Sequence, residues 1–278
     1  MSEALALSGS YGRALSLCSK VFVDAAEIGT LIGICEAAIS CGLVYDLGGH
    51  YSGGILVLRE GLAAAVSLGD EPRRAKLSLL LARLLAYKHQ FDEAALLLAA
   101  TEIICTKFGL HELNDEALAT RGLFCTERGD LAEAFAILYP LAQRLSNKVD
   151  SPLYARVSLG AASEGTLDQP EIVVGGPRQV TFVRVVIDLM LPAVGSGDDD
   201  ALQWAINQIE TAVYDKLFGL RPYYYLTFIY CVLQSSSTGF KNLASKYLKY
   251  AAEDGKISKN EYIKQEVQRL TPHVKALR

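Results

Sequence analysis

A chain of 278 residues with 51% hydrophobic and 21% charged side chains has the composition of a folded globular protein, which excludes a disordered or fibrous one. The net charge of −4 is split along the chain: residues 1–200 hold 16 Lys and Arg against 25 Asp and Glu, and residues 201–278 hold 11 against 6. A basic excess that small does not make a nucleic-acid surface, so nucleic acid is not expected as a partner.

One phase recurs every 40 residues. Tyr11, Tyr51, Phe91 and Leu131 each open a similar segment; a small residue follows three positions later (Ala14, Gly54, Ala94, Ala134) and an apolar or soft one four positions after that (Cys18, Leu58, Leu98, Leu138). A fixed period of this size marks stacked supersecondary units. The spacing predicts pairs of antiparallel helices. Residues 1–8 are too short for a full first helix, so the first unit starts near its second helix, at Tyr11. The second unit runs from about Cys35 to Asp70 and turns at Gly48-Gly49-His50. The third spans about Ala75 to Gly109 with its turn at Lys88-His89-Gln90, and the fourth about Asp115 to Lys148 with its turn at Arg128-Gly129-Asp130. Glycine or polar residues at such points end one helix and let the chain reverse. Gly53-Gly54 weakens a helix start and marks close packing or a joint.

The regular phase stops near residue 150. Residues 163–178 hold two prolines and three glycines and read as a long loop. Helices are expected to resume over about 179–193, 201–218, 222–236, 240–253 and 259–271, with an acidic break at 195–200. This divides the chain into repeats over 1–150 and a C-terminal helical extension of the same stack over 151–278.

The small residues Gly42, Ala82 and Gly122, the larger Tyr45, Leu85 and Cys125, the turn glycines Gly49 and Gly129 and the openers Tyr51, Phe91 and Leu131 resemble the tetratricopeptide repeat, in a variant with a period near 40. The resemblance covers residues 1–150 and implies an all-α fold, a right-handed α-solenoid of antiparallel helix pairs with an irregular middle. It also implies that the first helix of each unit lines a concave, partner-binding groove. Carried over by position, that lining is Glu36, Ile39, Leu43, Asp46 and Leu47, then Lys76, Leu79, Arg83, Ala86 and Tyr87, then Glu116, Ala119, Leu123, Thr126 and Glu127. Family members that hold chaperone tails carry a basic clamp; Ile39 and Leu43 stand at its first pair, so chaperone tails are not expected. The residues leave open whether the groove is free or filled by the chain's own C-terminal helices.

Eight of the fourteen tyrosines follow residue 200, and the run 221–230 is the most aromatic stretch of the chain. Tyr223, Tyr224 and Phe228, with Lys249 and its neighbouring lysines, form a candidate C-terminal contact surface; the alternative reading is core packing. Asp198-Asp199-Asp200 fits no calcium loop and reads as a helix N-cap, so no metal or other cofactor is expected. The six cysteines show no metal-ligand spacing and read as buried reduced thiols. The N-terminus lacks the features of a secretory signal, and no uncharged apolar run is long enough to span a membrane, which together point to the cytoplasm. No nucleophile elbow, phosphate loop, zinc-protease motif or dinucleotide fingerprint occurs, so the chain is not expected to be an enzyme. The expected function is a non-catalytic adaptor or scaffold that binds a peptide or protein in the groove, within an obligate complex or a homo-oligomer if its end helices need cover. The alternative is a regulatory sensor of a signalling peptide or small molecule.

Overall fold

The computed structural model describes residues 2–146, 155–157, 172–174, 177–213, 220–234, 241–258 and 260–277. Among them are thirteen helices: α1 (Ser2–Leu7), α2 (Tyr11–Ile28), α3 (Leu31–Gly48), α4 (Tyr51–Leu68), α5 (Glu71–Tyr87), α6 (Phe91–Phe108), α7 (His111–Arg128), α8 (Leu131–Ser146), α9 (Pro177–Ser196), α10 (Asp199–Val213), α11 (Arg221–Gln234), α12 (Lys241–Ser258) and α13 (Glu261–Ala276). The elements among the described residues are helical apart from a three-residue antiparallel ladder that joins Ala155–Val157 to Ile172–Val174. Residues 172–174 were expected within a loop; three consecutive β-branched side chains favour the extended backbone there. The rest of that expected loop up to 176 lies outside the described residues.

Helices α2 to α8 begin at residues 11, 31, 51, 71, 91, 111 and 131, so the 40-residue period is two helices of equal register. The chain reverses through a left-handed residue at the same phase each time. Gly9, Gly29, Gly49, Gly69, Gly109 and Gly129 all have positive φ, and at the fifth position of this series His89 takes φ 55°. A side chain is strained in that conformation and glycine is not. The N-terminal ends are fixed by side chains where the sequence supplies them: Thr30 accepts from Gly33 N at 3.1 Å, and Asp70 accepts from Arg73 N at 3.0 Å.

The in-phase small and apolar residues build the core. Ala14, Ala94 and Ala134 are fully buried, as are Leu58 and Leu138, and Cys18 and Leu98 nearly so. Glycine is required where the helices cross: a Cβ on Gly42 would stand 2.6 Å from a Leu58 methyl, and one on Gly122 would overlap Leu138. Gly54 likewise marks close packing, because its Cβ would meet Leu84 and Tyr45.

Beyond residue 176, α9, α12 and α13 are longer than expected, and the expected ends of the next two helices, at 214–218 and 235–236, lie outside the described residues. The acidic break at 195–200 narrows to Gly197 and Asp198, since α9 runs to Ser196 and α10 starts at Asp199. Asp198 caps α10 by accepting from Ala201 N at 2.8 Å, with Asp199 and Asp200 in its first turn. Helix α9 packs on α7, α8, α10 and α11, and α11 packs on α12 and α13. The start of α13 returns to the repeats, where Asn260 Nδ2 donates to the Leu47 carbonyl at 3.1 Å. One hydrophobic cluster therefore runs from Leu5 and Tyr11 through Leu138 to Val274, across both halves of the chain. All six cysteines are buried free thiols. Helix α3 is long and apolar enough by composition to cross a membrane, and half of it is buried inside the fold, as in a core helix.

Candidate functional site

The first helices of the repeat pairs are α3, α5 and α7. Helices α9, α11 and α13 of the C-terminal part lie opposite them. Between the two sets is a cavity of about 430 Å³. Its walls are Asp46 and Leu47 of α3, Tyr51 of α4, Arg83 and Tyr87 of α5, and Leu123, Thr126 and Glu127 of α7 on one side. On the other are Arg184, Ile187, Asp188 and Leu191 of α9, Leu220, then Tyr223, Thr227, Tyr230 and Gln234 of α11, and Tyr262, Glu266 and Arg269 of α13.

Four charged groups lock the two sides together. Arg83 is buried, with its Nη2 3.4 Å from Asp188 Oδ2 and 3.1 Å from the Tyr87 hydroxyl. Its Nε lies 3.2 Å from Asp46 Oδ2. That approach is Coulombic only, because the N–H is not aimed at the oxygen and Nε has no hydrogen-bond partner. Arg184 Nη1 donates to the same Asp46 oxygen at 2.8 Å. Removal from water acts against the Arg83 charge, but Asp46 and Asp188 outweigh it and hold the guanidinium protonated, well above its ordinary value. Burial pushes the Asp188 carboxyl up, and Arg83 and Arg184 oppose that push.

An aromatic wall runs beside this cluster. Tyr87 stacks on Tyr51 with centroids 4.6 Å apart, Tyr51 meets Tyr262 at 6.1 Å, and Tyr262 stacks on Tyr223 at 6.0 Å. The Tyr223 hydroxyl accepts from Asn260 Nδ2 at 3.4 Å. Burial raises all four phenols, Tyr262 to about 12, so each remains a neutral donor and acceptor. Glu266 accepts from the Tyr230 hydroxyl and from Arg269 Nη2, the latter at 2.9 Å, and Arg269 also lies over the Tyr230 ring. Glu127 differs from the other charged wall groups: among the described residues it makes no hydrogen bond or ion pair. Burial pushes its carboxyl above the ordinary value, and Asp188 pushes the same way, against His89 and Arg83.

Of the groove residues expected from sequence, Asp46, Leu47, Arg83, Tyr87, Leu123, Thr126 and Glu127 line the cavity. Glu36, Ile39, Leu43, Lys76, Leu79, Ala86, Glu116 and Ala119 do not. Glu36 is exposed and paired with Arg73 at 2.7 Å, and Lys76 pairs with Glu116, so these charges brace neighbouring first helices. Ile39 and Leu43 pack against the core of the repeats. The C-terminal set also divides. Tyr224 and Phe228, offered as surface contacts, are 1% and 2% exposed and pack around Tyr247, so they belong to the core. Helix α11 is covered on several sides by α9, α12 and α13, which buries aromatic residues all round it. Tyr223 faces the cavity, and Lys249 is 76% exposed, 3.9 Å from Glu253. Arg184, Asp188, Tyr262 and Glu266 were missed as site residues. A buried Arg–Asp pair one turn apart inside an apolar helix was the available signal for the first two.

No group of three metal-ligating side chains occurs among the described residues. No family model matches the sequence, and a search of curated proteins finds no match either. The fold and cavity alone define the class, a helical protein with a tyrosine-walled chamber between its N-terminal and C-terminal helices.

Proposed function

We propose that the chain is a non-catalytic binding protein of the tetratricopeptide-like class, a right-handed α-solenoid whose inner face holds a small molecule or a short peptide segment. This is the sensor reading, and it ranks ahead of an adaptor that grips a long partner in an open groove. The observation that carries it is the cavity. At about 430 Å³ it falls within the usual range for small-ligand sites. The buried thiols fit a reducing compartment such as the cytoplasm.

Thermal-shift measurements on the whole protein test this, with a library sorted into cations, anions, neutral compounds and tripeptides. The result expected is stabilisation by at least one class that disappears when Thr227→Trp fills the chamber. Stabilisation that persists in that variant, or none from any class, overturns the reading.

One observation favours the adaptor as a second reading. Ile28, Leu68 and Phe108 are spaced by 40, each ends its helix, and they are 74%, 38% and 44% exposed. A partner chain covering that ridge would bind outside the chamber.

A further inference from the structure

We propose that the chamber is a receptor for an organic cation, an ammonium or guanidinium group held between the Glu127 carboxylate and the Tyr87–Tyr51–Tyr262–Tyr223 wall. This rests on the reading of the chamber as a binding site and adds the chemistry of its ligand.

The argument starts from charge balance. The lining carries three cations, Arg83, Arg184 and Arg269, and four carboxylates, Asp46, Asp188, Glu127 and Glu266. Every arginine is already engaged: Arg83 with Asp46 and Asp188, Arg184 with Asp46, and Arg269 with Glu266. Glu127 is the carboxylate left over. A carboxylate drawn out of water without a partner is costly, and a ligand cation offsets that cost by taking up the free lone pairs. An anionic ligand would add to the surplus of negative charge on the lining.

The aromatic wall points the same way. Four tyrosine rings in contact present negative faces, and rings of this kind attract ammonium and guanidinium groups that approach within about 6 Å of a centroid. The protein already uses the attraction twice at the chamber, with Arg83 5.6 Å from the Tyr87 centroid and Arg269 5.3 Å from that of Tyr230. Leu47, Leu123, Ile187 and Leu191 supply an apolar lining for the carbon skeleton that carries the charge. A free amine and the basic side chain of a peptide share this chemistry.

Titration calorimetry of the full chain tests the proposal. The probes are n-butylammonium, agmatine and tetramethylammonium as free cations, blocked Gly-Lys-Gly as the peptide source, and citrate and n-butanol as anionic and neutral controls. The expected result is that at least one cation binds the wild type and that Glu127→Gln weakens it about tenfold or more. Thinning the wall with Tyr262→Leu weakens tetramethylammonium more than n-butylammonium. Binding of the free amines identifies a small-molecule source, and binding of the tripeptide alone identifies a peptide side chain. Because Glu127 makes no bond in the fold, its variant should keep the wild-type circular dichroism and melting temperature or exceed the latter. Citrate or butanol binding that Thr227→Trp abolishes, with no cation bound, overturns the cation assignment and leaves the chamber as a binding site. Cations that bind wild type and Glu127→Gln equally also overturn the assignment. No binding by any probe overturns it as well, and the library screen with Thr227→Trp then decides the fate of the wider reading separately.

Discussion

Arg83 of α5 and Asp188 of α9 stand 105 positions apart and meet 3.4 Å from each other, at the junction between the repeat pairs and the helices that cover them. Both are largely out of water, and Asp46 and Arg184 complete a balanced quartet around them. Such a cluster is weak evidence of added stability, because desolvating four charges offsets most of their attraction. Breaking it is a different matter. Arg83→Met leaves Asp188 with Arg184 nearby and Asp46 with Arg184 alone, two carboxylates sharing one guanidinium. The expected loss is about 3–5 kcal/mol, read from urea unfolding. Adding Asp188→Asn to Arg83→Met should recover part of that loss, since the uncompensated charge goes with it. A loss below about 1 kcal/mol in the single variant would mean that the quartet is wet and not structural.

The leftover carboxylate has a pH signature. Burial raises the Glu127 pKa above its ordinary value of 4.5, with Asp188 acting the same way and His89 and Arg83 acting against it. The folded protein therefore holds this proton more tightly than the unfolded chain does. The resulting stability is fully present below pH 4.5 and is lost as the pH rises through the folded value. Glu127→Gln removes that dependence. The variant should be more stable than wild type at pH 7, and the gap should close as the pH falls below 4.5. Melting curves of the pair from pH 4 to 7.5 check this, and a gap that widens toward acid would refute the raised value.

Gly122 and Leu138 test the close crossing of α7 and α8. Leu138 is fully buried and cannot swing away from a new methyl group. Gly122→Ala should therefore destabilise by about 1 kcal/mol, overpacking outweighing the gain in helix propensity. In a Leu138→Ala background the space is open, and the same substitution should stabilise by about 1 kcal/mol. The change of sign across the double-mutant cycle is the observable; additivity would show that the helices part freely.

Much of the repeat half was legible because its signals are local. The openers at 11, 51, 91 and 131 are the first residues of α2, α4, α6 and α8, and the small residues that follow them are buried at crossings. The groove was legible in part. Counting along the first helices found Asp46, Leu47, Arg83, Tyr87, Leu123, Thr126 and Glu127, because position on a helix fixes which face a side chain takes. Nothing in that count says which end of the face will be covered, so Glu36, Lys76 and Glu116 entered the same set although they brace neighbouring helices. The covering helices were the harder problem. Where α9, α11 and α13 lie depends on contacts such as Asn260 with Leu47, separated by 213 positions, and no local pattern encodes those. For the same reason Tyr224 and Phe228 read equally well as surface or core until their neighbours are known.

The series of left-handed residues supplies the last test. Glycine occupies positions 9, 29, 49, 69, 109 and 129, and His89 alone interrupts it, at φ 55°. A left-handed conformation costs an ordinary side chain roughly 1–2 kcal/mol that glycine does not bear. Glycine loses more chain entropy on folding and gives back part of that difference. His89→Gly should therefore stabilise the protein by about 0.5–1 kcal/mol. His89 also opposes the rise in the Glu127 pKa, so the measurement is made in a Glu127→Gln background. His89 packs edge-on against Phe91 with centroids 5.6 Å apart, a contact the variant forfeits. If His89→Gly destabilises, that contact outweighs the backbone strain, and the break in the glycine series has a packing cause. If it stabilises as expected, the histidine is held at a cost to the fold.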